Sequence, residues 1–337
     1  MAPTVLVTGA NGHVGYTLCQ DLIERGYSVR AAIRDASDKE KAASLELLGC
    51  EVVGANILDL TEFTAAMDGV DGVFHTAAVY RNFATDPDSE IIRPAVEGAR
   101  NAVLAAKSTG VRRLVLTSSS VTIGAAQRGS PPRDERDWNT ISPHPYVRGK
   151  TIAEREAWKT AETNGVDMVT VLPSAIIGPG FHRHTPSTKI VAPAMARAMR
   201  WATVMTINLV DARDVASAHR LAFETRAAQG RYLAFSWKST IHELATEVAR
   251  LDSDLPAPKS WPRALNQLWP LRDWLRHNLT GSPRSFSRSM ALEYGRGDHT
   301  LSNAKAKTEL NWGPARSFGD CVADTMTWIR KKNPENF

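Results

Sequence analysis

Short, continuous runs of hydrophobic residues alternate along the first half of the chain with longer stretches in which hydrophobic and polar residues are mixed. The runs at 4–8, 28–33, 51–55, 72–75, 113–117 and 168–172 predict six buried strands. The mixed stretches at 16–25, 88–109 and 143–164 predict helices. Strands separated by helices indicate a parallel sheet covered on both faces, with right-handed crossovers. We therefore expect a doubly wound α/β fold.

Three glycines lie between the first strand and the first helix, at Gly9, Gly12 and Gly15. The first would allow a tight turn, the second the approach of a pyrophosphate, and the third close packing of the helix on the strand. The phosphates would then lie at the positive end of the helix. We interpret the stretch as a Rossmann-type dinucleotide-binding turn. A plain strand-to-helix turn that needs glycine is the alternative.

The residues after the second strand bear on the choice of cofactor. An NAD site usually places a carboxylate there for the ribose hydroxyls, whereas an NADP site places an Arg. Arg34 follows the strand directly, and Lys39 and Lys41 come soon after. These cations favour NADPH, while the neighbouring Asp35 keeps NAD as the less favoured alternative.

Tyr146 and Lys150 are four residues apart, which places them on one face of a helix about one turn from each other. The Lys charge favours the phenolate and lowers the Tyr pKa. The pair therefore suits acid–base chemistry near neutral pH. The serines at 118–120 end the fifth strand, where sheets of this kind bind ligands. A Ser hydroxyl there can donate to a substrate carbonyl.

Composition adds limits on compartment and partners. The 337 residues are 43% hydrophobic and 23% charged, with a net charge of +5. That excess favours a solvated basic surface over nucleic-acid binding. Three widely spaced cysteines suit a reducing compartment. Without an apolar run long enough for a bilayer or a secretory signal, the chain is expected to be cytoplasmic, with no membrane span.

Together these stretches resemble the extended short-chain dehydrogenase/reductases, nearest to the dihydroflavonol 4-reductase-like branch. The matching segments are 8–15, 73–78, 117–119, 146–150, 172–179, 209–215, 302–305 and 309–312. The resemblance implies an oxidoreductase that transfers a hydride reversibly between NADPH and a ketone or aldehyde. The alternatives are an NAD-dependent sugar-nucleotide epimerase or dehydratase, a hydroxysteroid dehydrogenase, and a non-catalytic NADP-sensing protein.

The resemblance also assigns roles. It implies Tyr146 as proton donor or acceptor, Lys150 as its partner on the nicotinamide ribose, and Ser119 as the serine that holds the carbonyl oxygen, with Ser118 as the alternative. It pairs Arg34 with Lys41 around the 2′-phosphate. The other cofactor-binding positions that it implies are Gly9, Asn11, Gly12, His13, Val14, Gly15, Asn56, Ile57, Thr76, Ala77, Ala78, Thr117, Pro173, Ser174 and Ile176, besides Tyr146 and Lys150. Departures from the family pattern are His13, Asn56 and the pair Ser120-Val121.

By resemblance, residues 1–180 and 207–236 form the dinucleotide-binding domain, and residues 181–206 and 237–337 an interleaved, mostly helical substrate lobe. Within the lobe, residues 256–298 carry Trp261, Trp269 and Trp274 and more Lys and Arg than acids. One interpretation is an amphipathic helix at 263–277 whose Trp residues pack on the main domain. The other is a basic, aromatic mouth for an anionic or planar substrate, or a membrane-contacting surface.

The histidines do not form a recognisable metal site. His182 and His184 flank Arg183, but no third ligand follows at a useful spacing, so we expect a substrate loop and no metal. His75 is expected near the cofactor. Relatives of this fold often pair through the helices at 88–109 and 143–164, so the chain is expected to be a monomer or a homodimer.

Overall fold

The structure is a computed structural model that describes residues 3–78, 84–126, 129–180, 185, 188–196, 199–261, 268–281, 287–295 and 299–332. The strands are β1 Thr4–Thr8, β2 Ser28–Ile33, β3 Glu51–Gly54, β4 Gly72–His75, β5 Arg113–Thr117, β6 Met168–Pro173, β7 Ala175–Ile177, β8 Trp201–Thr203, β9 Thr206–Asp211, β10 Gly230–Ala234, β11 Trp237–Thr240 and β12 Lys259–Trp261. The helices are α1 His13–Glu24, α2 Lys39–Glu46, α3 Leu60–Met67, α4 Arg93–Thr109, α5 Pro145–Asn164, α6 Thr188–Met195, α7 Ala212–Glu224, α8 Ile241–Leu251, α9 Trp269–Thr280, α10 Arg288–Gly295, α11 Ala304–Glu309 and α12 Phe318–Lys332.

The main sheet has seven strands in the order β10-β6-β5-β4-β1-β2-β3, and every pair in it is parallel. The carboxyl ends of all seven strands therefore lie at one edge. The strand order reverses between β1 and β4, which is where sheets of this type leave a crevice for a ligand. The predicted doubly wound α/β fold is confirmed.

Each face of the sheet carries its own hydrophobic core. Val5 and Val7 of β1 face a cluster formed with α1 and α7, whereas Leu6 between them faces a cluster formed with α3, α4 and α5. This alternation is the period-two pattern of a strand that is buried on both sides. Trp312, far along the chain, packs into the first of these clusters.

A second, smaller sheet has the order β11-β9-β7. This sheet and the elements packed around it are called the lobe below. β7 is parallel to β9 and β11 is antiparallel to it. Leu209 of β9 packs into a third core together with residues of α6, α8 and α12. A short parallel pair, β8 and β12, completes the lobe strands among the described residues. Along that part of the chain, no helix is both long enough and apolar enough to cross a membrane.

The helix boundaries differ from the predictions in ways that have local causes. α1 begins at His13, directly after the glycine turn, and not at residue 16. The predicted 88–109 helix opens with a π-helical turn, Asp88–Ile92, before α4. Pro94 lies in the first turn of α4, where a backbone N–H would have no partner within the helix, so its absence costs no hydrogen bond. α5 begins at Pro145 for the same reason.

The predicted helix at 263–277 is α9, which starts at Trp269; residues 262–267 lie outside the described residues. The Trp269 ring packs edge-on against Trp261, with 5.3 Å between the centroids, so its contact is inside the lobe. Trp274 is 48% exposed. The interpretation that the Trp residues of this helix pack on the main domain remains a prediction.

Candidate active site

The glycine turn after β1 is shaped by close backbone contacts. Gly9 has φ +62°, and the Gly12 N–H donates to its carbonyl oxygen at 2.9 Å. A Cβ at position 15 would lie 2.3 Å from that oxygen, so α1 reaches this position only with glycine. At the start of α1, no side chain among the described residues caps the helix, which leaves its first N–H groups facing outward. The turn therefore fits a phosphate group.

His13, the unusual residue of the turn, is buried at the first position of α1. Its Nε2 is 2.9 Å from the carbonyl oxygen of Pro179. This contact joins the glycine turn to the segment that leaves β7 for the lobe. Asn11 and Val14 are half-buried beside it.

An exposed arginine and a hydrogen-bonded aspartate follow β2. Arg34 is exposed, with no hydrogen bond or ion pair in the described part of the chain. Asp35 Oδ1 accepts from both the backbone N–H and the hydroxyl of Ser37, at 2.9 and 2.6 Å. These bonds lower the Asp35 pKa. Lys41, also exposed, is ion-paired with Asp38.

Asn56 and Ile57 follow β3. The side-chain oxygen of Asn56 accepts from the Leu58 N–H at 3.2 Å, which occupies one of its two lone pairs. A Cβ at Gly98 of α4 would lie 2.8 Å from the Ile57 side chain. Glycine at that position therefore lets Ile57 pack against α4, where it lines the pocket described below.

The ends of β1 and β4 are joined through Thr8. Its hydroxyl oxygen accepts from the Ala77 N–H at 3.2 Å and is 3.0 Å from His75 Nδ1. The Thr76 hydroxyl donates to the Thr8 carbonyl at 2.6 Å. Burial and the nearby Lys150 charge lower the His75 pKa to about 3, so this ring is neutral at physiological pH. The bonds hold Thr76 and Ala77 against the end of β1, and Ala77 lines the pocket described next.

Tyr146 and Lys150 lie one turn apart on α5 and line one pocket together with Ala77, Ala78 and Thr117. Lys150 Nζ donates to the Thr117 carbonyl at 3.1 Å. Burial lowers the Lys150 pKa to about 8, although the charge of Glu154 acts to raise it. The Tyr146 ring meets the buried His144 ring edge-on, with 6.5 Å between centroids. The predicted Tyr/Lys pair is therefore placed at the carboxyl end of β5.

The two candidate serines point to different partners. The Ser118 hydroxyl lines the pocket and donates to Glu154 at 2.6 Å. Ser119 has an extended backbone, and its side-chain oxygen accepts from the Val121 N–H at 3.4 Å. No acceptor for the Ser119 hydroxyl hydrogen is found among the residues that the structure describes. The Ser118 hydroxyl hydrogen is therefore already bonded to the Glu154 carboxylate, whereas the Ser119 hydroxyl hydrogen is available for a ligand.

This arrangement has counterparts among known proteins. A sequence model described as the NAD dependent epimerase/dehydratase family matches residues 5–234. The chain belongs to this family. It is 34% identical over 285 residues to dihydroflavonol 4-reductase of Zea mays, covering 80% of each chain. It is 35% identical over 281 residues to tetraketide alpha-pyrone reductase 1 of Arabidopsis thaliana, covering 78% of this chain and 85% of that one.

Solved structures agree. The crystal structure of gox2253 superposes with a TM-score of 0.83 at 27% identity, covering 98% of each chain. Vestitone reductase from alfalfa has a TM-score of 0.72 at 20% identity, covering 98% of this chain and 99% of that one, and shows the fold alone. The resemblance to extended short-chain dehydrogenase/reductases of the dihydroflavonol 4-reductase-like branch is confirmed. The chain is an NAD(P)-dependent oxidoreductase.

In this member of the family, two buried charges were not anticipated: Glu154, which lines the pocket, and Arg231, which pairs with it. Glu154 Oε1 accepts from Arg231 Nε at 2.8 Å and from the Thr170 hydroxyl at 3.2 Å. The Arg231 guanidinium also stacks on Trp138, 3.7 Å from the ring centroid. Glu154 is four residues after Lys150, so helical spacing could have placed it beside the pocket. No pattern in the neighbouring sequence could have predicted that Glu154 pairs with Arg231 of β10.

His219 of α7 is the other residue that sequence reasoning missed. Its Nε2 is 2.7 Å from the Thr117 hydroxyl, and its Nδ1 is 2.8 Å from the Val215 carbonyl oxygen. A carbonyl only accepts, so Nδ1 carries the proton and Nε2 accepts from Thr117. Burial lowers the His219 pKa to about 4, which keeps this neutral form at physiological pH.

The remaining predicted positions lie beyond β6. Pro173 ends that strand, Ser174 is buried directly after it, and Ile176 is half-buried in β7. His182, Arg183 and His184 lie outside the described residues. Along the described part of the chain, no group of three or more His, Cys, Asp or Glu is arranged to hold a metal ion.

Proposed function

We propose that the protein is an NADPH-dependent carbonyl reductase that converts a ketone or aldehyde to the alcohol, reversibly. The observation that carries this proposal is the Tyr146/Lys150 pair at the carboxyl end of β5. Lys150 is held by the Thr117 carbonyl, and its pKa is lowered to about 8. An acid–base pair at the ligand-binding edge of a dinucleotide fold suits carbonyl reduction.

NADPH, when bound, supplies the hydride. Tyr146 then gives its phenolic proton to the carbonyl oxygen. The Lys150 ammonium stabilises the phenolate that remains, because an opposite charge nearby favours the ionised form. Ser119 donates its hydroxyl hydrogen to the same oxygen and orients the carbonyl. The Ser118–Glu154 bond favours Ser119 over Ser118 for this task.

The glycine turn and the residues after β2 support NADPH as the cofactor. The outward N–H groups at the start of α1 would hold the pyrophosphate. Arg34 would fork onto the 2′-phosphate, since its guanidinium is exposed and has no partner in the described part of the chain. Asp35 is occupied by Ser37, which makes it a poorer ligand for the ribose hydroxyls of NAD.

The first experiment follows NADPH consumption by purified protein with aryl ketones, aldehydes and a ketosteroid. A reductase consumes NADPH with at least one of these. An epimerase would copurify with its cofactor and show no net consumption, and a sensor would bind NADPH without turnover. Consumption with the ketosteroid alone would favour a hydroxysteroid dehydrogenase.

The matched variant is Tyr146→Phe, which keeps the ring and removes the transferable proton. Losing an acid–base group lowers the rate about 10²–10⁴-fold. The affinity for NADPH, measured by fluorescence titration, should change little because the ring shape is retained. Near-normal turnover in Tyr146→Phe would remove this residue from the mechanism.

A further inference from the structure

Large apolar side chains are exposed along one side of α9. Leu271, Trp274, Leu275 and Leu279 are all exposed, and Leu279 exposes 81% of its surface. Steps of three and four residues keep these side chains on one face of a helix. We call these four residues the apolar stripe. A single exposed leucine needs no explanation, but a contiguous apolar patch on a folded protein marks an interaction surface.

The opposite side of α9 holds the helix on the lobe. Asp273 is buried there, and its Oδ1 accepts from Arg276 at 3.0 Å. The Trp269 ring is half-buried and packs edge-on against Trp261. Contacts of Trp269 and Asp273 thus orient α9 so that the apolar stripe faces outward. A helix that only completes a protein core turns its leucines inward.

Positive charge borders the apolar stripe. Arg272 is exposed, and its guanidinium carbon lies 5.1 Å from the Trp269 ring centroid and 5.8 Å from that of Trp261. Lys259, on the same short strand as Trp261, is exposed as well. The one acid within α9 is Asp273, which is buried and paired with Arg276. No exposed acid of this helix therefore balances the cations beside the stripe.

Aromatic rings extend this border onto β8. The Trp261 ring, which contacts Trp269, also meets the Trp201 ring edge-on, with 6.2 Å between these two centroids. Trp201 is exposed, and Lys259 Nζ lies 5.7 Å from its ring centroid. The surface therefore combines leucines, exposed tryptophans and cations. Such a combination is typical of a helix that lies between the hydrocarbon and the anionic headgroups of a bilayer.

A second copy of the chain fits this surface less well. A two-fold contact places the same face against itself, so the cations of one copy would approach those of the other. Because α9 exposes no acid, these like charges would have no partner on the facing helix. An anionic bilayer supplies the missing negative charge and accepts the leucines at the same time.

We propose that α9 is a peripheral membrane-binding element, which places the apolar stripe in the headgroup region of an anionic bilayer and sets Arg272 and Lys259 on the lipid headgroups. The helix lies in the plane of the bilayer. Its 12 residues are too few to cross the hydrocarbon, which takes about 20. This contact is independent of the proposed carbonyl reductase activity.

The test is flotation of the full chain with two kinds of vesicle, one of phosphatidylcholine alone and one with about a third of phosphatidylserine. Wild type should bind the anionic vesicles about tenfold more strongly than the neutral vesicles at low salt. Added salt should remove most of this difference, because it screens the contacts between cations and headgroups.

Two variants separate the apolar and the charged contributions. Leu275→Gln/Leu279→Gln should lower binding to anionic vesicles about tenfold or more, since less apolar surface enters the bilayer. Arg272→Gln should lower the same binding about fivefold and leave binding to neutral vesicles nearly unchanged. Circular dichroism checks that both variants fold. If the leucine double variant does not fold, Arg272→Gln decides the test.

Matched controls come from the main domain. Leu47, directly after α2, is 89% exposed, and Arg25, directly after α1, is exposed as well. Leu47→Gln and Arg25→Gln should bind vesicles as wild type does. Losses in the controls as large as those in the α9 variants would indicate attraction by net charge alone and overturn the inference.

Three further results would overturn it. The first is that wild type binds neither kind of vesicle, or binds both equally at low salt. The second is that both α9 variants bind as wild type does. The third is a lipid-free dimer, seen by light scattering, that Leu275→Gln/Leu279→Gln converts to a monomer. That result would assign the apolar stripe to a second copy of the chain.

Discussion

Lys150→Met should make the fold more stable while it removes activity. Lys150 is the buried cation on which the proposed acid–base chemistry depends, and its pKa falls from 10.5 to about 8 because burial disfavours the charged form. Met has a similar length and no charge. The variant therefore removes the free-energy cost of burying the Lys150 charge, and it also removes the group that the proposed reaction needs.

The size of the effect follows from linkage between protonation and folding. A pKa that falls from 10.5 to about 8 corresponds to roughly 3 kcal/mol of lost stability near neutral pH. The variant also loses the bond to the Thr117 carbonyl, which contributes about 1 kcal/mol. The net gain expected for Lys150→Met near pH 7 is roughly 2 kcal/mol.

The sign of the pH dependence is fixed by the same values. Below pH 8, Lys150 is charged in both the folded and the unfolded state, so the penalty is fully present. Between pH 8 and 10.5 the folded protein loses the proton and the unfolded chain keeps it, so wild-type stability rises with pH. The advantage of Lys150→Met should therefore shrink across this window.

Urea denaturation of wild type and variant at about pH 7 and about pH 10 measures this difference. Lys159→Met, on an exposed position of the same helix, is the control and should show no such trend. A stability difference between wild type and Lys150→Met that is equal at both pH values would refute the lowered pKa. Retention of more than about a hundredth of the activity would separate Lys150 from catalysis.

Three other measurements test the remaining assignments. Arg34→Ala should weaken NADPH about ten- to a hundredfold and leave NADH nearly unchanged, with a smaller effect for Lys41→Ala because Lys41 is already ion-paired; equal losses in kcat/KM for both cofactors would contradict this. Ser119→Ala should lower kcat about 10²–10³-fold, whereas Ser118→Ala should mainly lower the free energy of unfolding, by about 1–3 kcal/mol; the opposite order would move the role to Ser118. The free energy of unfolding should fall as the pH drops from 6.5 towards 4, because three buried histidines stay neutral in the folded protein while the same histidines become protonated in the unfolded chain. His144→Leu should lessen this fall, as measured by urea denaturation at several pH values. The same dependence on pH in His144→Leu and in wild type would count against the prediction. These histidines, whose pKa values burial lowers, are His75, His144 and His219.

Six of the seven strands of the main sheet could be predicted because they are buried on both faces; the seventh, the edge strand β10, was not predicted. Such strands appear in the sequence as continuous apolar runs, and the predicted limits of β2, β4 and β5 agree with the structure to the residue. The lobe strands carry no such signal. β7, β8 and β12 have three residues each, and they are strands only because tertiary contacts supply their partners.

The candidate site divides in the same way. Tyr146 and Lys150 are found from local spacing, since a helix places residues four apart on one face. The pairing of Glu154 with Arg231 spans 77 positions, and that of Thr117 with His219 spans 102. Such pairs depend on which strands and helices become neighbours, which hydrophobic periodicity does not specify.

The end of β5 shows why those distant partners matter for function. The Thr117 carbonyl accepts from Lys150, while its hydroxyl donates to His219 of α7. The next residue, Ser118, is tied to Glu154 of α5. Two helices on opposite faces of the sheet therefore fix two consecutive residues, and Ser119 begins its turn from that fixed position. The Lys150 ammonium is held by the Thr117 carbonyl, so the positions of Ser119 and Lys150 both depend on Thr117. A substitution at His219 should therefore lower the activity by shifting Thr117, although His219 itself is not proposed to contact the substrate.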